Sequence, residues 1–245
     1  MESEPLTGHL AETLEQLARH WESRRSITAQ DPSGGTSRAF SIALSRQAGT
    51  QGTLIARELS RRLGWPVYDH ELLERISLEM GVRTNLLETV DERKIGWLEE
   101  SFQQFLDVPQ VNENAYARHL VKCVLALGLL GECIIVGRGA AFILPAETTL
   151  RVRLVAPKKD RLATLCRNLG LSGREATRRL SSLDRQRNDF VRSHFLTDPT
   201  DPANYDLLLN VARFSSADAC ESIADSLQRL QSASRTEMAL HALTH

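Results

Sequence analysis

The stretch that most constrains this chain is FSIALSRQAGTQGTLIARELSRRL, Phe40 to Leu63. Phe40 to Leu44 is an apolar run of the length of one buried strand. Ser45 to Thr53 is a turn of small residues with glycines at Gly49 and Gly52. Leu54, Ile55, Leu59 and Leu63 then recur at roughly helical spacing among Arg57, Glu58, Arg61 and Arg62. Strand, glycine turn and amphipathic helix together present backbone N–H groups and a helix N-terminus to an anion. The usual phosphate-loop sequence is G-x-x-x-x-G-K-[ST]. This turn has no lysine, so it reads as a degenerate phosphate-binding loop. An ordinary strand-to-helix turn would have the same composition.

The rest of the chain repeats the alternation. Pro66 to Asp69 is a short second strand, with Asp69 placed to cap a helix from His70 to Met80. Helical patterns follow at 83–108, with Trp97, Phe102 and Phe105 as apolar contacts, and at 112–130. Cys133 to Val136 is a third strand, closed by Gly137-Arg138-Gly139, and Leu150 to Val155 a fourth. Helices are expected at 158–169 and 173–195, a fifth strand at Tyr205 to Val211, and a last helix at 216–231. This order predicts an α/β fold with a three-layer parallel sheet. Ligands in such sheets bind beyond the C-terminal ends of the strands. There Ser45 to Gly52, Asp69 and Gly137-Arg138-Gly139 would face one crevice.

Residues 4–26 form an amphipathic pattern with Leu10, Leu14, Leu17 and Trp21 on one face, and 27–38 read as a linker. The expected divisions are a helix and linker at 1–37, a core domain at 38–231 and a flexible tail at 232–245. The apolar face of the first helix needs a partner, either its own domain or a second copy of the chain, so a homodimer through this helix is one expectation. With Lys+Arg 30 against Asp+Glu 31, the chain has no global signature of nucleic-acid or anionic-membrane binding. No apolar run approaches the roughly 20 residues of a membrane span. The acidic, polar start MESEPLTGHL is not a secretory signal. Cys123, Cys133, Cys166 and Cys220 have no C-x-x-C pairing, which fits reduced thiols and a cytoplasmic location.

Three constellations carry chemistry. In the loop, small residues let backbone amides approach phosphate oxygens, and Thr50 or Thr53 offers a hydroxyl to phosphate or Mg²⁺. In Gly137-Arg138-Gly139, an arginine between glycines puts a planar bidentate donor at a strand end; a turn with a solvent-facing arginine is the plain alternative. The helix at 173–195 carries Arg174, Arg178, Arg185 and Arg192 close to one stripe. Over a phosphate crevice such a stripe would neutralise transferring charge; in isolation it is a solvated basic face. No His, Asp or Glu set has metal-ligand spacing.

The order S-R-Q-x-G-x-x-G, L-G-W-P-V-Y-D-H-E-L-L, I-I-V-G-R-G-A, D-R-Q-R-N and D-P-x-N-Y-D-L-L-L-N resembles the cytidylate kinase-like family, from about Ser41 to Ile223. That family is a divergent branch of the P-loop nucleoside monophosphate kinases. The resemblance implies a P-loop NTPase fold of the nucleoside monophosphate kinase type, with ATP and Mg²⁺ as cofactors. It implies a helical insert at 82–130 for the acceptor and lid-like helices at 158–195. It also implies transfer of the ATP γ-phosphoryl group to a nucleoside monophosphate such as CMP, or to another small phosphorylated acceptor. Gly49, Thr50, Gln51, Gly52 and Thr53 would hold the ATP phosphates. Asp69, Arg75, Arg138, Asp184 and Arg187 would bind the acceptor. Arg185 and Arg161 would act as lid arginines on the transferring group, and Arg46 would stand in for the loop lysine.

The departures from the family pattern are the missing lysine, with Gly52 at or near its position, Gly139 where a G-R-D segment has aspartate, and His70 after the strand-two aspartate. Loss of one charge-assisted contact at a transition state costs about 2.7–4 kcal/mol. A nucleotide sensor without turnover, and a dimerising interaction protein on the same fold, are therefore the alternatives.

Overall fold

The computed structural model describes residues 19–20, 39–69, 73 and 115–243. The chain divides into two compact units, residues 1–39 and 40–245. The expected N-terminal helix as a whole, its linker, the helix after the second strand with Arg75, and the pattern at 83–108 lie outside the described residues.

In the second unit the described elements are strands β1 (Ser41–Arg46), β2 (Val67–Tyr68), β3 (Ile134–Val136), β4 (Thr149–Val155) and β5 (Leu207–Asn210). The helices are α1 (Gly52–Leu63), α2 (Ala115–Leu130), α3 (Ala140–Ile143), α4 (Lys158–Leu169), α5 (Gly173–Phe195) and α6 (Ser216–Leu243). The strands form one sheet in the order β2-β3-β1-β4-β5, and every pairing is parallel. The fold is α/β, as the alternation of strands and helices predicts.

β3 and the middle of β1, Ile42 to Leu44, are apolar because both faces are covered there; Ile42, Ala43, Ile134 and Ile135 are fully buried. On one side, Ile42, Leu44, Ile134, Val136, Leu150, Val152 and Leu154 pack with Ile55 and Leu59 of α1 and with Ile223 and Leu227 of α6. Leu54, included in the apolar pattern, is exposed at 47% instead. α1 ends as its sequence predicts: Gly64 takes φ 70°, and its N–H donates to the Ser60 carbonyl.

α5 opens with a capping box, in which Ser172 and Glu175 exchange hydrogen bonds. α6 runs to Leu243 rather than stopping at 231. Its extension, SASRTEMALHAL, contains no glycine or proline and is rich in helix formers. Cys123, Cys133 and Cys220 are buried and Cys166 partly so, and all four are free. Burial pushes the Cys123 thiol up to about 12, so it stays protonated. Among the described residues no helix is long and apolar enough to cross a membrane.

β1 lies between β3 and β4. Its own connection leads through α1 towards β2, whereas that of β4 leads through α4 and α5 to β5 on the opposite edge. This reversal opens a crevice at the C-terminal ends of β1 and β4.

Candidate phosphoryl-transfer site

The turn after β1 is a cradle of donors. Gln47 N–H donates to Leu154 O (3.1 Å), and Ala156 N–H donates to Gln47 Oε1 (3.1 Å), which ties the turn to β4. Ala48 N–H donates to Asp184 Oδ1 (2.8 Å). Beyond Ala48, the N–H groups of residues 49–53 donate to no acceptor among the described residues. They lie at the start of α1, where the helix dipole favours an anion. Gly49 has φ 81°, and a Cβ there would sit 2.6 Å from the Arg161 carbonyl oxygen. The turn can pass over α4 only with glycine at this point. The Thr50 hydroxyl is buried and donates to Gln47 O (2.8 Å), whereas Thr53 is exposed. Of the two expected hydroxyls, Thr53 is the one open to a ligand.

Arg46 ends β1, and its side chain runs past two glycines. A Cβ on Gly52 would lie 3.0 Å from Arg46 Cγ, and one on Gly137 would lie 2.3 Å from Arg46 Nη1. The arginine thus fills the space that a side chain at either position would need. Burial lowers the Arg46 guanidinium to about 10, with Arg187 and Arg138 pushing the same way and Asp69 opposing them. Arg187 Nη1 donates to Arg46 O (3.2 Å), and burial lowers Arg187 too, against the attraction of Asp184. Arg138 has φ 50° between Gly137 at 82° and Gly139 at 74°, and its guanidinium lies 5.1 Å from the centre of the Phe190 ring. A Cβ at Gly139 would sit 2.1 Å from Phe195 Cε2. The aromatic end of α5 therefore occupies the place where the G-R-D aspartate would project.

Arg46, Arg138 and Arg187 line a cavity of about 400 Å³, together with Arg153, Arg179 and Phe142. No aspartate or glutamate among the described residues lines it. A smaller cleft of about 350 Å³ lies beside the donor cradle, bounded by Gly49, Thr50, Asp160, Arg167 and Phe214. Phe214 is 46% exposed there.

The other expected site residues are placed differently. Arg161 is 8% exposed and donates to Ala156 O (3.0 Å), Ala48 O (3.3 Å) and the Asp184 carboxylate. Arg161, expected as a lid arginine, and Asp184, expected to bind the acceptor, bond each other and fasten the turn to α4 and α5. Ala48, Leu165, Ala176 and Leu180 form a small apolar core around the same junction. Arg185 is exposed and outside the cavity lining, as are Arg174, Arg178 and Arg192; Arg192 pairs with Asp198 (3.0 Å). The arginine stripe is the solvated face of α5. The face over the cavity carries Arg179, Leu183, Arg187 and Phe190. Asp69 directly follows β2, and its carbonyl accepts from Leu73 N–H (2.9 Å). Arg75 lies outside the described residues.

Sequence reading missed Arg153. Its signal is the alternation in β4, Leu150-Arg151-Val152-Arg153-Leu154. In a sheet covered on both faces, charge at alternate positions needs a reason.

Residues 41–213 match the profile of the cytidylate kinase-like family. A cytidylate kinase of Methanopyrus kandleri is 31% identical in an alignment of length 94 that covers 35% of this chain and 49% of that protein. The chain thus spans about half the length of this curated relative. An uncharacterised protein of Eubacterium ventriosum has the same fold in its crystal structure, with TM-score 0.63, 19% identity, and coverage of 78% of this chain and 99% of that one.

Proposed function

Because the chain belongs to the cytidylate kinase-like family, we propose that it transfers the ATP γ-phosphoryl group to a nucleoside monophosphate such as CMP, or to another small phosphorylated acceptor. The observation that carries this reading is an arginine-lined cavity, with no carboxylate among the described residues that line it, next to a turn whose N–H groups at residues 49–53 have no acceptor among the described residues. In this reading ATP lies along the turn. Its phosphates rest on the N–H groups of residues 49–53, and its base sits in the smaller cleft against Phe214 and Arg167. Arg138, Arg187 and Arg46 hold the acceptor phosphate in the larger cavity.

An acceptor phosphate oxygen then bonds to the γ-phosphorus as the bond from that phosphorus to the β–γ bridging oxygen breaks, and ADP leaves. Little covalent help is needed; positioning and charge stabilisation carry the rate. Arg46 replaces the missing lysine from the acceptor side, because its guanidinium lies where the two ligands would meet. Mg²⁺, when bound, would neutralise phosphate charge. The exposed Thr53 hydroxyl suits it, and Mg²⁺ commonly takes most of its other ligands from phosphates and water.

The test is ADP formation by the full chain with ATP and Mg²⁺ against a panel of nucleoside monophosphates. We expect turnover with one pyrimidine monophosphate, and a loss of about 10²–10³ in rate for Arg138→Ala. Saturable ATP binding without ADP formation for any acceptor would replace this reading with that of a nucleotide sensor.

A further inference from the structure

Arg153 belongs to the same cavity as the phosphate-binding arginines but stands apart from their cluster. It sits in β4 opposite Ser45 of β1 and is 6% exposed. Its Nη1 donates to Ser45 Oγ (3.2 Å) and Tyr205 Oη (3.0 Å), and its guanidinium lies 5.3 Å from the centre of the Tyr205 ring. The Tyr205 hydroxyl donates its own proton to Pro199 O (2.9 Å), so it faces Arg153 as an acceptor. Both hydrogens of Nη1 are used. Nε and Nη2 donate to nothing among the described residues, and no described carboxylate pairs with Arg153.

The Nε–Nη2 edge is the one with which an arginine grips an oxyanion through two parallel bonds. Arg151, on the same strand, shows that edge filled: Nε donates to Asp206 Oδ2 (3.2 Å) and Nη2 to Oδ1 (2.9 Å). In Arg153 the equivalent edge is open in a residue that lines the cavity. A buried guanidinium held only by neutral hydroxyls and a ring is costly unless an anion completes it. Arg46, Arg138 and Arg187 form a separate group: in the β1–β4 register Ser45 pairs with Arg153 and Arg46 with Leu154, so Arg153 and Arg46 leave opposite faces of the sheet, and Arg187 bonds the Arg46 carbonyl while Arg138 acts on Arg46 electrostatically. The cavity therefore offers two cationic stations. Its volume of about 400 Å³ suits one small molecule.

We propose that the acceptor carries two anionic groups: the phosphate held by Arg46, Arg138 and Arg187, and a second phosphate or carboxylate gripped by Arg153. The proposal rests on reading this cavity as the acceptor site.

The test is calorimetric titration of the full chain, in buffer free of phosphate and sulfate, with two pairs of probes. CMP is compared with cytidine 3′,5′-bisphosphate, and glycerol 3-phosphate with 3-phosphoglycerate. We expect at least one doubly anionic probe to bind about tenfold or more tighter than its singly anionic partner, the scale of one charge-assisted bidentate contact. The pair that shows the difference tells phosphate from carboxylate. Arg153→Met should bring the ratio to within about twofold, whereas Arg138→Met should weaken both members and preserve it. Arg153→Lys keeps a cation without the paired edge; it should reduce the ratio several-fold and serves if the methionine variant does not fold. Equal affinities within both pairs, or a ratio that survives Arg153→Met, would overturn the proposal while leaving the acceptor reading intact. Failure of all four probes to bind would remove the acceptor reading and this proposal with it.

Discussion

Arg46 runs beside Gly52 and ends against Gly137, so the loop's missing lysine and its nearby arginine are one feature. A long side chain at position 52 would compete with Arg46 for space. The arginine's position has an energetic consequence. Burial first, then Arg187 and Arg138, lower it to about 10 from its ordinary value, with Asp69 opposing. Below about pH 10 it is charged in both folded and unfolded chains, and the full burial and repulsion cost weighs on the fold. That cost is relieved only above about pH 10, where the folded form releases its proton before the unfolded one does. Arg46→Met should therefore raise the ligand-free stability at pH 7 by about 1–3 kcal/mol in urea unfolding. It should also shrink the melting-temperature rise given by inorganic phosphate. A variant less stable than the parent would mean that Arg46 has a structural contact outweighing its burial.

At the scale of elements, α5 is the hinge of the site's organisation. Its Asp184 accepts from Ala48 N–H and pairs with the buried Arg161 of α4, so the turn after β1 is held by both helices. Asp184→Asn would leave Arg161 buried without its counter-charge. We expect a stability loss of about 3–5 kcal/mol. The double variant with Arg161→Met should lose clearly less than the sum of the single losses. Additive losses would show that the pair does not act as a unit.

The same helix explains what was legible in the sequence. The span 173–195 follows from periodicity, and so does α4; the alternation of strands and helices puts Arg46 and Arg138 at strand ends over one crevice, whereas the order of the strands in the sheet does not follow from it. Which face of α5 turns inward does not follow. Arg174, Arg178 and Arg185 form the more regular stripe, yet Leu180 and Leu183 fix the rotation and turn that stripe to solvent. The partners of Arg161 and Asp184 were equally hidden, because they depend on the close approach of α4 and α5 to the turn. Arg153 was readable as a charge in a buried strand, but its open edge depends on Ser45 and Tyr205, which lie far from it in the sequence.

Over the whole molecule the formal charge is −1, yet the larger cavity gathers five arginines and no described carboxylate. Such an arrangement keeps the chain near neutrality while focusing positive potential on one opening. It also separates two effects of salt. Chloride screens the mutual repulsion of the arginines, an effect limited by their burial and exhausted once the Debye length falls to a few ångströms. An oxyanion that occupies the site adds stability by mass action, about 2.7 kcal/mol at 100 times its dissociation constant. For a domain of this size that corresponds to a melting-temperature rise of roughly 5–10 °C. Melting curves in sodium phosphate and sodium chloride at matched ionic strength should therefore diverge. The phosphate series should rise continuously with the logarithm of concentration above the dissociation constant, and the difference should collapse in Arg138→Met. If the two series overlap, the arginines hold no oxyanion, and their cost to the fold has no functional counterpart in phosphate binding.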